Sequence, residues 1–395
     1  MVLDRSFQLP NRLKEFTSFL VMDVLDRANE LERRGHPMVH LEVGEPDFKT
    51  PRKILEAGQK ALAEGKTHYT PSLGIYPLRE AISEWYRKKY RVTVSPERII
   101  VTMGTSPGLL LILSTLLNPG DEIILTNPGY ACYANFIRYL EGVPVFVKVQ
   151  EAEGFQCRTA YIRAKITERT RAILINSPSN PTGHLLPPEE MAEISRLRLP
   201  VISDEIYHGL VYGEKAHSFL ELSQDAFVLN GFSKYFAMTG WRLGYIIVPD
   251  EYVRPIQKLQ QNFFISPNTV AQYAGIVALN EEHPELEEMK QKYNKRRKYM
   301  IQRLREMGFG IAVEPTGAFY VFANAGKFTD DSLKFSFELL ENAHVAVAPG
   351  IDFGSNGEGY MRFSYANSLE AIENGMNRLE AYLKSRSRPV RRSSL

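Results

Sequence analysis

At 395 residues, 44% hydrophobic and 24% charged, the chain has the make-up of a globular protein with a sizeable core, which excludes disorder of the chain as a whole. The length fits one large or two ordinary domains. A net charge of +2 argues against nucleic acid as the main partner, the more so because Ser385–Leu395 holds four arginines and no acid, so the remaining body is slightly acidic.

In chain order, the opening MVLDRSFQLPNRLKEF has no apolar run, so no secretory signal is read there. The central part then alternates short apolar runs with helical patterns. Strands are predicted at Arg98–Met103, Glu122–Thr126, Pro144–Val149, Arg171–Asn176, Pro200–Asp204, Ala226–Asn230 and Gly244–Val248. Most are continuous β-branched runs, the mark of strands covered on both faces. The greasy stretch Leu109–Leu117, interrupted by Ser114 and Thr115, is too short to span a bilayer and reads as a buried helix. No membrane partner is expected. Cys132 and Cys157 are the only cysteines, which supports neither a disulfide framework nor a Cys-x-x-Cys metal pair, so no metal is expected and a reducing cytoplasm is the simplest compartment.

Farther on, Leu286–Met307 reads as a long charged amphipathic helix with Leu286, Met289, Tyr293, Leu304 and Met307 on its apolar stripe. Short strands follow around Ala318–Ala323 and Gly359–Ser364. The last helix is predicted to start near Asn367 as N-cap, with Leu369, Ile372, Met376, Leu379 and Leu383 facing inward. The expected fold is α/β: a large domain, residues 46–284, with a mostly parallel seven-stranded sheet sandwiched by helices. A smaller α+β domain is formed by both chain ends, residues 1–45 and 285–385, and residues 386–395 form a basic tail.

Three predicted strands end in unusual polar residues. Ile173–Asn176 leads to Asn180-Pro181-Thr182-Gly183, Val201–Ser203 to Asp204-Glu205-Ile206-Tyr207, and Val228–Asn230 to Gly231-Phe232-Ser233-Lys234. In a parallel sheet these ends share one edge, where ligands bind. An amine, a carboxylate, a phenol and an amide placed together match the needs of pyridoxal phosphate. Lys234 holds the aldehyde as a Schiff base, Asp204 keeps the ring nitrogen protonated, and Tyr207 with Asn180 donates to the 3-oxygen. A lysine alone is by default a surface residue, and Asp204 alone an N-cap; their joint spacing favours chemistry. His208 and His184 read as structural.

The stretch Gly231–Gly244 (GFSKYFAMTGWRLG) resembles the lysine signature of fold-type-I, class I/II aminotransferases of the aspartate aminotransferase superfamily. Further matches follow in that family's order: Val43–Phe48, Tyr69 in HYTPSLGIYPLREAI, Gly104-Thr105-Ser106, Tyr130 in NPGYACY, Asn180–Gly183, Asp204–Tyr207 and Arg362 in YMRFSYA. The resemblance implies a homodimeric transaminase moving an amino group from an L-amino acid to a 2-oxo acid, with Lys234 as covalent partner and general acid–base. It implies that Ser233, Arg242 and the backbone of Thr105 and Ser106 hold the cofactor phosphate, that Tyr130 stacks on the ring, and that Tyr69 reaches the neighbouring subunit's phosphate. Arg362, with Gly44 and Asn180, would bind the substrate α-carboxylate. Pro107 departs from the pattern by removing one N–H from the phosphate cradle. Ser106 stands where some aspartate-specific relatives carry lysine, which leans the substrate toward aromatic or neutral amino acids. A C–S or other eliminating lyase on the same fold is the rival activity. An effector-sensing domain of a transcription regulator is the non-enzymatic alternative, disfavoured because the matches begin by about Val43.

Overall fold

A computed structural model describes residues 10–14 and 16–386. Near the N-terminus, α1 (Leu20–Arg33) leads to the two-residue strand β1 (Val39–His40). The central strands are β2 (Ile99–Thr102), β3 (Glu122–Asn127), β4 (Val143–Lys148), β5 (Thr170–Asn176), β6 (Val201–Asp204), β7 (Phe227–Gly231) and β8 (Gly244–Ile247). Helix α2 (Thr105–Leu116) follows β2 and α3 (Cys132–Tyr139) follows β3. The C-terminal part runs α4 (Pro284–Met307), β9 (Tyr320–Asn324), α5 (Ser332–Ala343), β10 (Val345–Ala346), β11 (Ala348–Pro349), β12 (Tyr360–Ser364) and α6 (Leu369–Arg386).

All seven runs read as strands join one sheet, in the order β2-β8-β7-β6-β5-β3-β4. β2, β6, β7 and β8 are buried along their length, as unbroken apolar runs require, and β3 and β5 are buried over most of theirs. β4 differs: it is an edge strand with Val143 exposed, so its alternation is only half covered. β8 is antiparallel to both β2 and β7, whereas β3 to β7 pair in parallel. The reversal has a consequence for the site. Gly244 at the start of β8 lies opposite Thr102 and Gly231, near the ends of β2 and β7. The residues just before β8 therefore arrive at the same edge as the residues just after β2, β5, β6 and β7.

Helix α2 buries Leu109, Leu111, Ile112 and Leu113. Ser114 and Thr115 do not break it, because their hydroxyls donate back to the Leu110 and Ile112 carbonyls. Among the described residues no helix is long and apolar enough to cross a membrane.

The two chain ends meet in a second, smaller layer. β1 pairs in parallel with β10, and β11-β12-β9 form an antiparallel sheet. α4 turns Leu286, Met289, Tyr293, Met300 and Leu304 inward; Met307 is only half-buried. Ile372, Met376, Leu379 and Leu383 of α6 are buried as the spacing requires, whereas Leu369, in the first turn beside the cap, is only half-buried. The cap of α6 is Ser368 rather than Asn367: the Ser368 hydroxyl accepts the Ala371 N–H at 3.0 Å. Asn367 instead donates to the His40 carbonyl at 3.0 Å, tying α6 to β1. Of the basic tail only Arg386 lies within the described residues, and it pairs with Glu338 at 3.2 Å.

Candidate active site

The strand ends enclose a cavity of about 330 Å³. Gly44, Thr105, Ser106, Tyr130, Asn180, Asp204, Tyr207, Ser233, Lys234, Arg242 and Arg362 all line it. Of the residues given a site role from the sequence, only Tyr69 lies away from it, 80% exposed.

Asp204 ends β6 and is buried. Burial pushes its carboxyl above the usual range; a 2.6 Å bond from the Tyr133 hydroxyl and a 3.1 Å bond from the Ile206 N–H oppose that. Lys234 follows β7, and its ammonium donates to the Gly44 carbonyl at 2.7 Å. Burial brings Lys234 down to about 8; Arg362 and Arg242 push the same way, and Glu45 and Asp204 oppose.

At one end of the cavity, α2 begins at Thr105 behind Gly104, whose φ of 99° needs a residue without a side chain. A Cβ on Gly104 would sit 2.8 Å from Arg242 Nη2. Arg242, in the left-handed region at φ 54°, bonds the Thr239 carbonyl at 3.1 Å. Pro107 is the third residue of α2 and fits a first turn, where N–H groups have no helical partner. Free helix N–H groups, the Ser233 hydroxyl and a guanidinium thus face one end of the cavity, a donor set for a dianion.

At the other end, Arg362 on β12 is 2% exposed. Nη1 donates to Asn180 Oδ1 at 2.9 Å and Nη2 to the Glu42 carbonyl. The Tyr320 and Phe353 rings flank the guanidinium at 4.3 and 4.8 Å. Its buried Nε–H has no partner, a donor awaiting an acceptor. Asn180 is fixed from behind, its N–H bonded to Asn176 Oδ1 at 2.8 Å, and Asn176 in turn donates to the Asp204 carbonyl at 3.0 Å.

The sequence reading missed Tyr133, Tyr320 and Phe19. The Tyr320 hydroxyl is 2.9 Å from that of Tyr207, and Phe19 meets the Tyr130 ring edge-on at 6.0 Å. Tyr133 carried a weak signal, standing three residues after Tyr130 in the same NPGYACY match; the two rings meet edge-on at 5.1 Å. His208 lies outside the cavity, with Nδ1 2.7 Å from the Tyr90 hydroxyl, and burial brings it down to about 3. His184 is also buried away from the cavity and brought down to about 4. Among the described residues no group of three or more His, Cys, Asp or Glu is placed to hold a metal ion.

The profile of the family "Aminotransferase class I and II" matches residues 36–379. The chain belongs to this family. It is 45% identical to the (5-formylfuran-3-yl)methyl phosphate transaminase of Methanocaldococcus jannaschii, covering 95% of this chain and 99% of that one. It is 39% identical to the aspartate aminotransferase of Pyrococcus horikoshii, covering 96% and 98%. The solved structure of aspartate aminotransferase from Thermus thermophilus with maleate superposes with a TM-score of 0.91, at 36% identity over 95% of this chain and 99% of that one. The chain is an aminotransferase of the α/β fold that these relatives share, and nothing favours the lyase alternative.

Proposed function

We propose that this aminotransferase uses pyridoxal phosphate and takes its amino group from a neutral or aromatic L-amino acid, passing it to a 2-oxo acid. When bound, that cofactor supplies an electrophilic carbonyl carbon and an electron-withdrawing ring. The observation carrying the reading is that a buried carboxylate, a desolvated amine and a dianion cradle line one cavity.

In this reading Thr105, Ser106, Ser233 and Arg242 would hold the phosphate, and Tyr130 would offer its ring to the cofactor's. Asp204, steadied by Tyr133, would serve the ring nitrogen and favour its protonated form. Asn180 and Tyr207 serve the ring oxygen. Arg362 already occupies Asn180 Oδ1, which leaves the amide Nδ2 to donate. Lys234 has a larger neutral fraction than a solvated lysine, as an attacking amine and a base both require. Its Nζ takes the proton from the donor's α-carbon and delivers it across the cavity.

Arg362 and the Gly44 backbone receive the donor's α-carboxylate, and the unpartnered Nε–H of Arg362 is a ready site for it. Among the described residues the cations lining the cavity are Lys234, Arg242 and Arg362, each already assigned, so this chain leaves none for a distal acid. Phe19, Val21 and Met22 offer apolar surface instead. Tyr69 serves the phosphate of a second copy, so the working unit is a homodimer; its exposure in the single chain supports this.

Reduction of the purified protein with borohydride is expected to leave a pyridoxyl group on the Lys234 peptide, and Lys234→Ala to abolish both adduct and transfer. A panel of donors and acceptors, including 2-oxoglutarate and a furan aldehyde phosphate, reads the substrate class. Absence of an adduct, or a clear preference for dicarboxylic donors, contradicts the proposal.

A further inference from the structure

The segment around the start of α1 lines the cavity and is tied at two points. Thr17 shares three hydrogen bonds with Asn135 of α3, at 3.3, 3.2 and 3.0 Å. The Leu20 and Val21 N–H groups both donate to the carboxylate of Asp352, at 3.0 and 3.2 Å. Phe19 and Val21, beside these ties, and Met22 just beyond them line the cavity.

The second tie fills a gap in the helix. The first N–H groups of any helix lack a helical acceptor, and the residue before α1 is Phe19, which has no side-chain acceptor to offer. Asp352, from the far end of the chain, supplies it, and its negative charge suits the positive end of α1. Its neighbour Phe353 packs on Arg362. One dipeptide therefore holds the start of α1 with one side chain and flanks the carboxylate-binding arginine with the other. The charged groups acting on Asp352 are Arg362, which favours its carboxylate, and Asp23, which opposes it.

We propose that Asp352 is a positioning residue that sets donor specificity. It fixes Phe19, Val21 and Met22 as the apolar wall against the donor side chain, in register with Arg362 at the donor's carboxylate. A large apolar side chain reaches this wall and alanine's methyl does not, so Asp352 matters more for phenylalanine than for alanine. The inference rests on the assignment of Arg362 made above.

The test compares Asp352→Ala and Asp352→Asn with wild type in two ways. Amide hydrogen exchange of the full-length protein without donor reads the tie itself. Loss of a cap of this kind corresponds to a roughly fivefold to tenfold faster exchange of the Leu20–Val21 amides in Asp352→Ala. Asp352→Asn, which keeps an acceptor oxygen, falls between. The ratio of kcat/KM for phenylalanine to that for alanine is expected to drop by a similar factor in Asp352→Ala, with the borohydride adduct on Lys234 unchanged. Unchanged exchange, or equal losses for both donors, overturns the proposal. Failure of the underlying assignment looks different: Arg362→Lys would leave KM unchanged for every donor, while the exchange result at Leu20 and Val21 would be unaffected.

Discussion

The hydroxyl of Tyr133 donates a 2.6 Å hydrogen bond to Asp204 Oδ2, reaching from α3 to the end of β6. With the Ile206 N–H it opposes the upward push of burial on the Asp204 carboxyl. Tyr133→Phe removes that donor and lets the Asp204 pKa rise further. A hydrogen bond to a charged group contributes about 1.5–3 kcal/mol, so cofactor affinity is expected to fall by roughly 10- to 100-fold. Titrating cofactor-free variant with pyridoxal phosphate measures it; an unchanged dissociation constant would show that Asp204 does not need the tyrosine.

Lys234 gives a pH dependence with a definite sign. Its amine is brought from the ordinary 10.5 to about 8, chiefly by burial. Only the neutral amine attacks a carbonyl. The rate at which cofactor-free protein captures pyridoxal phosphate should therefore climb with pH and level off above about 8. Glu45 raises the Lys234 pKa, so Glu45→Gln should move the inflection to lower pH. Stopped-flow absorbance follows both, and an inflection near 10 in wild type would refute the desolvated environment.

How far the sequence reveals this site depends on how local each signal is. Asp204, Lys234 and Asn180 are legible because each ends or closely follows an apolar run that reads as a strand covered on both faces. The direction of β8 is not legible, since Gly244–Ile247 reads the same either way, yet its reversal is what delivers Arg242 to the site. Tyr320 is 113 residues from its partner Tyr207 and looks in sequence like any core tyrosine. The α6 cap slipped by one residue because Asn367 and Ser368 are both good caps, and the Asn367 side chain is engaged by β1.

Next to Asp204, Glu205 governs stability rather than chemistry. Its carboxyl is raised to about 8 by burial, although Ser203, Ser218 and the Phe219 N–H all donate to it. A folded pKa above the ordinary 4.5 means that the folded protein binds this proton more tightly. The stabilisation is then full below about 4.5, declines as pH rises through the window, and is gone above about 8. Glu205→Gln keeps the shape and cannot ionise. The Tm difference between variant and wild type should shift in the variant's favour from pH 5 to pH 8; a constant difference across that range would refute the raised pKa.

Gly44 tests how closely the segment before residue 46 must approach the site. Its carbonyl accepts from Lys234, and a Cβ at this position would lie 1.9 Å from the Tyr320 hydroxyl oxygen. No real contact is that short, so Gly44→Ala must displace either the segment or Tyr320. Moving Tyr320 breaks its 2.9 Å bond to Tyr207 and removes the ring that covers Arg362. A large loss of kcat/KM follows in either case. Removing the offending oxygen separates the two. In Gly44→Ala/Tyr320→Phe the nearest remaining contact is the ring carbon at 2.9 Å, which a shift of a few tenths of an ångström relieves. The double variant should therefore be more active than Gly44→Ala alone, although Tyr320→Phe by itself gives up a hydrogen bond. Steady-state kinetics of the three variants form the cycle. Simple addition of the two losses would mean that the segment, not Tyr320, is what yields.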